Sequence, residues 1–180
     1  MRNLENVNGA GASSAVVMIR LLVGWVFVVE GVLKFIRPDE LGAGRFARIG
    51  IPAPHAAAVF VGGAEIVCGA LLLAGLLTRL AAIPLLVNMI VAIVSTKVPI
   101  LIGHNLGIFA LPKLPVYGLW TALHESRTDV SMILGLLFLL ITGPGRWSLD
   151  AMVWPGRTAQ PADQSPSREA ISLFPRSAAQ

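Results

Sequence analysis

The chain contains apolar stretches that are long enough to cross a lipid bilayer. A bilayer core of roughly 30 Å requires about 20 helical residues, and the first stretch, from 15 to 36, satisfies this length. Hydrophobic residues make up 55% of the 180 positions and charged residues only 13%, and the mean hydropathy is +0.74. This composition is too apolar for an ordinary soluble domain. We therefore predict an all-α integral membrane protein.

Prolines, glycines and short polar turns divide the apolar sequence into four predicted spans. Arg37-Pro38 ends the first span, because proline disfavours helix in the residue before it. Thr78-Arg79 is so short a turn that spans two and three should form an antiparallel hairpin. The predicted spans are 15–36, 55–77, 80–96 and 128–147. Together they predict a four-helix transmembrane bundle.

The region from 97 to 127 is interrupted by Pro99, Pro112 and Pro115, so one continuous helix is not expected there. We predict a long interfacial loop between helices three and four, ending in a short helix around 116–126. A polar segment, 1–14, precedes the membrane domain of residues 15–150. The tail, 151–180, is rich in Pro, Ser, Ala and Gln and lacks apolar periodicity, which is typical of disorder.

The charge pattern limits partners and leaves the orientation open. The 14 Lys and Arg and 10 Asp and Glu are scattered, so a nucleic-acid partner is not expected. Both termini should lie on the same side of the membrane, but the basic residues divide too evenly to fix which side is cytoplasmic. Cys68 is the single cysteine, which excludes an intrachain disulfide and a cysteine-based redox pair.

Ionisable residues within the predicted spans are the candidate site. A charged group at the bilayer centre costs roughly 2.5 to 3.5 kcal/mol on insertion scales, so such residues occupy packed interiors, cavities or ion pairs. Glu30 and Lys34 are spaced i,i+4 on one helix with the acid first, so they can neutralise each other. The alternative is that Glu30 lines a polar cavity and binds a ligand or a proton.

Glu65 has no such partner on its own helix. Gly62 and Gly69 lie on the same face, which allows another helix to approach closely. We therefore expect Glu65 within an interhelical contact, opposite the polar face of span one. The preferred arrangement is one cluster of Arg20, Glu30, Lys34 and Glu65, which forms a ligand or proton site.

Two further sets of polar residues favour structural roles. Asn88, in the middle of span three, is expected to form an interhelical hydrogen bond. At the start of span four, Ser126 or Thr128 is a candidate helix cap, and Asp129 would complement the helix dipole. A loop cluster with metal-binding residue types surrounds them, but its spacing is a weak signal and no metal site is predicted. The cluster is His124, Glu125, Arg127 and Asp129.

The order and spacing of several glycines and charged residues resemble the DoxX family. The pattern is Arg20-x3-Gly24-x2-Phe27-x3-Gly31-x2-Lys34-Phe35, then Gly63-Ala64-Glu65-x3-Gly69, Gly75 and Thr78-Arg79, and finally Gly143-Pro144-Gly145-Arg146 with Ser148-Leu149-Asp150. The resemblance covers about residues 15–150. It implies a four-helix, multi-pass protein of the bacterial inner membrane. Relatives are linked to quinone-dependent thiosulfate oxidation and to membrane-bound thiol and oxidative-stress complexes.

The sequence carries no catalytic constellation, haem-ligand set or dinucleotide loop of its own. The first hypothesis is therefore a small membrane subunit of a redox-linked complex, an accessory to an oxidoreductase, whose charged cluster contacts a quinone, a proton or a partner subunit. Besides lipid, a protein partner or a second copy is expected. The alternative is a non-enzymatic scaffold or small-solute carrier. A proton-coupled transporter ranks last, because no inverted repeat is detectable.

Overall fold

The computed structural model describes residues 2–145 and 147–153 of the chain. These residues form helices and loops, with one isolated β-bridge between Leu106 and Phe109. In chain order the helical elements are α1 Arg2–Ile36, α2 Ala43–Ile49, α3 Pro54–Ala74, α4 Thr78–Ala92, a π-helical turn Ile93–Lys97, α5 Val98–Ile102, α6 Leu119–Thr142 and α7 Leu149–Val153.

Three of these segments are long and apolar enough to cross a membrane. They are Ala15–Ile36, Pro54–Ala74 and Thr78–Ile102. The prediction of an all-helical membrane protein is confirmed for the described residues, and the first two spans lie close to their predicted positions. The turn between α3 and α4 is Gly75 to Leu77 rather than Thr78-Arg79, because Gly75 adopts a left-handed conformation (φ 69°) that ends α3.

The third span differs from its predicted end at residue 96. Proline at position 99 lacks an N–H group and its ring would collide with the carbonyl group of Ser95 in a regular α-helix. The structure instead forms a π-helical turn immediately before the proline, and the helix continues to Ile102. A wider turn of this kind accommodates a proline without ending the helix. The loop therefore begins at Gly103, six residues later than predicted.

The loop ends at Gly118, and no separate short helix lies between it and the next long helix. Helix α6 starts at Leu119 and runs without a break for 24 residues, so the predicted short helix and the fourth apolar segment are one element. Ser126 and Thr128 consequently lie inside α6 and cap nothing. The Ser126 hydroxyl donates to the carbonyl oxygen of Leu123 (3.2 Å), and Gly118 precedes the first helical residue.

The four long helices surround an apolar core. Helix α1 packs along α3, α3 on α4, α4 on α6, and α6 back on α1. The large apolar side chains that are most deeply buried in this arrangement are Val23, Phe27, Leu72, Leu85, Leu136 and Leu139. We call this set the apolar core layer.

Two of the predicted segments are only partly described. Residues 2–14 of the polar amino-terminal segment continue α1. The predicted disordered tail overlaps α7 at its first three residues, and the remainder, 154–180, lies outside the described residues together with Arg146.

Candidate functional site

Glu65 is a buried carboxylate that is held by two other helices. Only 3% of its surface is exposed. The Lys34 ammonium on α1 donates to Oε2 at 2.6 Å, and the Asn88 amide on α4 donates to Oε1 at 2.7 Å. Both carboxylate oxygens are therefore occupied by donors, one charged and one neutral. A buried charge requires such compensation, since an unpaired one costs several kcal/mol.

Lys34 reaches Glu65 because helical side chains tilt toward the amino terminus of their own helix. Its ammonium also donates to the main-chain carbonyl oxygen of Glu30 at 3.3 Å, one turn earlier. Of the two interpretations of Glu30, the pairing with Lys34 is not the one that the structure shows, because the lysine contacts the more deeply buried carboxylate of Glu65. The Glu30 side chain is exposed instead.

The contact between α1 and α3 brings these charges together. A Cβ atom added to Gly31 would lie 2.7 Å from the carbonyl oxygen of Gly62, and one added to Gly24 would lie 2.9 Å from that of Gly69. Only glycine fits at these two positions of α1, so the backbones of α1 and α3 approach closely. The two helices run antiparallel, because the earlier residue of α1, Gly24, lies opposite the later residue of α3, Gly69. Gly62 and Gly69 flank Glu65 on this face, which sets the carboxylate directly against α1.

Arg20 does not belong to this cluster. It lies ten positions before Glu30, which is about 15 Å along α1. Its guanidinium donates to the carbonyl oxygens of Pro144 and Trp147, both at 2.8 Å. The preferred grouping of Arg20 with Glu30, Lys34 and Glu65 is therefore wrong. The long separation within one helix places Arg20 at the opposite end of the bundle.

At that end Asp150 caps α4 from a distant part of the chain. Its carboxylate accepts from the backbone N–H groups of Leu77 (2.8 Å) and Thr78 (3.2 Å), and its own N–H donates to the carbonyl oxygen of Gly75 (3.0 Å). Sequence reasoning assigned no role to this residue. A carboxylate that caps a helix start compensates N–H groups that have no partner within the helix.

We expect Asp150→Ala to lower the free energy of unfolding by about 1 kcal/mol, because the α4 amide groups lose their acceptor. Asp150→Asn retains one acceptor oxygen and should cost less. Denaturant titration of the detergent-solubilised protein measures both. Asp39→Ala, at an exposed aspartate between α1 and α2, is the control and should leave stability unchanged. Equal stability of Asp150→Ala and the unmodified chain would contradict the capping role.

A second charged cluster lies at the other end of the bundle, where α4 and α6 meet. The Lys97 ammonium is 3.6 Å from an Asp129 carboxylate oxygen and 3.9 Å from a Glu125 carboxylate oxygen. The π-helical turn ends at Lys97, and the two acids are spaced one turn apart on α6. Asp129 therefore pairs with a lysine rather than acting at a helix start. The sequence interpretation missed Lys97, whose only signal was a polar Ser-Thr-Lys run at the end of an apolar span.

The predicted loop cluster is divided by this arrangement. Glu125 and Asp129 face Lys97, whereas His124 and Arg127 are exposed on other faces of α6. The Arg127 guanidinium donates to the main-chain carbonyl oxygen of His124 at 2.8 Å. Within residues 2–145 and 147–153, no three His, Cys, Asp or Glu side chains converge as a metal site would require.

Both charged clusters line one cavity of about 480 Å³. Its inner part contains Glu65, Lys34 and Asn88, and its outer part contains Lys97 and the two acids of α6. Aromatic and aliphatic side chains complete the wall, among them Val26, Phe27, Phe46, Val61, Phe109 and Met132. The volume lies within the range of about 300 to 1,000 Å³ that is usual for small-molecule sites. We call this space the polar cavity.

Comparison with known proteins identifies the family. The DoxX family model matches residues 15–98. The chain is also 55% identical over 146 residues to the uncharacterized membrane protein Rv3486 of Mycobacterium tuberculosis, an alignment that covers 81% of this chain and 85% of that protein. The chain belongs to the DoxX family. No solved structure matches it significantly.

The DoxX match contains only part of the polar cavity. Lys34, Glu65, Asn88 and Lys97 all fall within residues 15–98, whereas Glu125 and Asp129 on α6 fall outside them. The inner charged cluster is therefore built entirely from the matched DoxX region. The outer cluster joins one lysine of that region to two acids from beyond it.

Proposed function

We propose that this DoxX protein is a small membrane subunit of a redox-linked complex, whose polar cavity binds the head group of a lipid-soluble quinone. The observation that carries the proposal is the polar cavity itself, in which Lys34, Glu65 and Asn88 meet an apolar wall. Ligand sites typically combine an apolar lining with a few convergent polar groups. Intramembrane charged residues mark ligand or proton sites in general.

We further propose that α6 is a fourth crossing, which completes a bundle in a bacterial inner membrane. Its 24 residues extend about 36 Å, enough for a bilayer core of about 30 Å. The charged residues occupy only its first half, where Glu125 and Asp129 line the polar cavity and Arg127 is exposed on another face. From Val130 to Thr142 the helix is apolar except for Ser131 and Thr142, whose hydroxyls donate to carbonyl oxygens of their own helix.

The donors of the inner cluster fit a quinone, whose two carbonyl oxygens accept hydrogen bonds. The Lys34 ammonium has three N–H groups, and the described contacts with Glu65 and Glu30 use two of them. The Asn88 amide has two N–H groups, of which one binds Glu65. Each residue thus retains one donor for a ligand. A bound quinone would supply the capacity to accept electrons and protons.

The proposed role depends on a partner protein. The residues that line the polar cavity include no cysteine, and Cys68 lies outside it. Electrons would therefore come from an oxidoreductase subunit that docks on the DoxX protein. The protein itself would position the quinone head and exclude lipid from it.

A non-enzymatic scaffold or solute carrier is the second candidate, and one observation favours it. The Lys34, Glu65 and Asn88 contacts join α1, α3 and α4, so the same residues also hold the helices together. The two functions are distinguished by ligand binding. A scaffold needs no quinone, whereas the proposed subunit must bind one with the residues of the inner cluster.

We expect the purified protein in lipid nanodiscs to bind a short-chain quinone, and Asn88→Leu to weaken binding about tenfold. The loss of one ligand hydrogen bond is worth about 1 to 1.5 kcal/mol, which corresponds to that factor. Isothermal titration calorimetry measures the dissociation constant. Arg127→Gln, on the exposed face of α6, is the control and should bind as the unmodified protein does. Absence of quinone binding by the unmodified, folded protein would reject the proposed function.

A further inference from the structure

Hydrogen-bonding groups line the polar cavity on both sides. The side formed by α4, the π-helical turn and α6 has apolar residues such as Met89 and Met132, and its polar residues are Asn88, Ser95, Thr96, Lys97, Glu125, Thr128 and Asp129. The side formed by α1 and α3 carries Glu30, Lys34 and Glu65 beside apolar residues such as Val26 and Val61. Polar groups along the cavity favour water there, since water needs polar partners to enter a protein interior.

The outer end of the cavity is lined by exposed charged side chains. Arg45 on α2 and Glu125 on α6 line this end and are exposed, as charged side chains in contact with water would be. The 103–118 loop contributes Ile108 and Phe109 to the wall. This loop is attached to α2, because the backbone N–H of Ala110 donates to the carbonyl oxygen of Ile49 at 2.7 Å.

The inner end of the cavity is closed by the apolar core layer. Phe27 and Met132 line the cavity and also belong to the buried core. One turn further along α6, Leu136 is completely buried, and Leu72 lies on α3 in the same core. The core side chains next to the cavity are apolar, so they offer water no hydrogen-bond partner. Arg20, three positions before Val23 on α1, donates to backbone carbonyl groups at the opposite end.

We infer that the polar cavity is a half-channel, which gives Glu65 water and protons from one membrane face only, the face formed by α2 and the 103–118 loop. The inference rests on the same cavity as the proposed function and adds the route by which water reaches it. The charged groups along this route are Lys34 and Glu30 from α1, Arg45 from α2, Glu65 from α3, Lys97 from the π-helical turn, and Glu125 and Asp129 from α6. The neutral polar groups are Asn88, Ser95, Thr96 and Thr128.

Cysteine accessibility tests this directly. In a Cys68→Ser background, Ser95→Cys and Met132→Cys place single thiols along the cavity, and Leu136→Cys places one a turn beyond it. Lys113→Cys marks the face of the 103–118 loop, and Met152→Cys marks the opposite face. A membrane-impermeant methanethiosulfonate reagent is added to intact cells and to inverted membrane vesicles, and modification is read by mass spectrometry.

We expect Ser95→Cys and Met132→Cys to react only in the preparation in which Lys113→Cys reacts. Leu136→Cys should react in neither. Reaction of either cavity thiol in the preparation that modifies Met152→Cys would overturn the inference. It would also be overturned if neither cavity thiol reacted in folded protein.

This outcome is independent of quinone binding by the unmodified protein. One-sided labelling without quinone binding would leave the half-channel standing and reject the proposed function. Quinone binding with labelling from both faces would support the proposed function and reject the half-channel.

Discussion

Lys34→Met is expected to destabilise the protein by about 3 to 5 kcal/mol, because it leaves the Glu65 carboxylate buried beside Asn88 alone. The lysine side chain is only 10% exposed and that of Glu65 only 4%, so solvent cannot replace the lost partner. Urea or SDS titration in defined micelles measures the change. Removing both charges together should have a much smaller effect on stability than removing the lysine alone.

The double variant Lys34→Met with Glu65→Gln is expected to recover most of this stability. Glutamine keeps an acceptor oxygen for the Asn88 amide and carries no charge, so no unpaired ion remains. Quinone binding should nevertheless weaken, since the Lys34 donor is absent. The control is the exposed pair Arg37 and Glu40, 3.7 Å apart, whose equivalent replacement should change stability by less than about 1 kcal/mol. Additive losses in the double variant would contradict the coupling.

Gly31→Ala is expected to cost about 1 to 3 kcal/mol, because the new methyl group would lie 2.7 Å from the Gly62 carbonyl oxygen and force α1 away from α3. The methyl group would also lie 3.0 Å from Cβ of Glu65, so the shift should disturb the Lys34 contact and weaken quinone binding. Stability and binding are measured on the same purified variant.

The matched control is Gly63→Ala, on the same helix as Gly62 but with no atom within 4 Å of the added Cβ. In an open position within a helix, alanine is favoured over glycine by up to about 1 kcal/mol. We therefore expect Gly63→Ala to be neutral or stabilising. If Gly31→Ala were as stable as Gly63→Ala, close packing of α1 on α3 would not be what positions Glu65.

The sequence was sufficient to predict features that depend on local composition. The apolar lengths identified the first three spans, and the all-helical class followed from them. The family was also recognised from the spacing of glycines and acids. These properties are local, because a run of apolar residues or the spacing of glycines is visible in the sequence without knowledge of which helices pack together.

What could not be predicted depends on which groups meet in three dimensions. Glu65 was expected opposite the polar face of span one, where Lys34 lies, but the spacing of Lys34 and Glu30 did not show that the lysine pairs with Glu65 rather than with Glu30. Arg20 shares a helix with Lys34 yet lies at the opposite end of the bundle. The π-helical turn before Pro99 kept the helix intact and placed Lys97 against α6, a contact that no single stretch of sequence indicates.

The pair of Lys34 and Glu65 also has a consequence for how the protein enters the membrane. The lysine lies on α1 and its partner on α3, so the lysine is synthesised 31 residues before the carboxylate that neutralises it. Before α3 follows, Lys34 has only the carboxylate of Glu30 as a partner on its own helix, and α3 alone would carry Glu65 into lipid uncompensated, at a cost of roughly 2.5 to 3.5 kcal/mol. The first helix should therefore remain beside the translocon or at the interface until α3 emerges, and the two should move into the bilayer as a preformed pair.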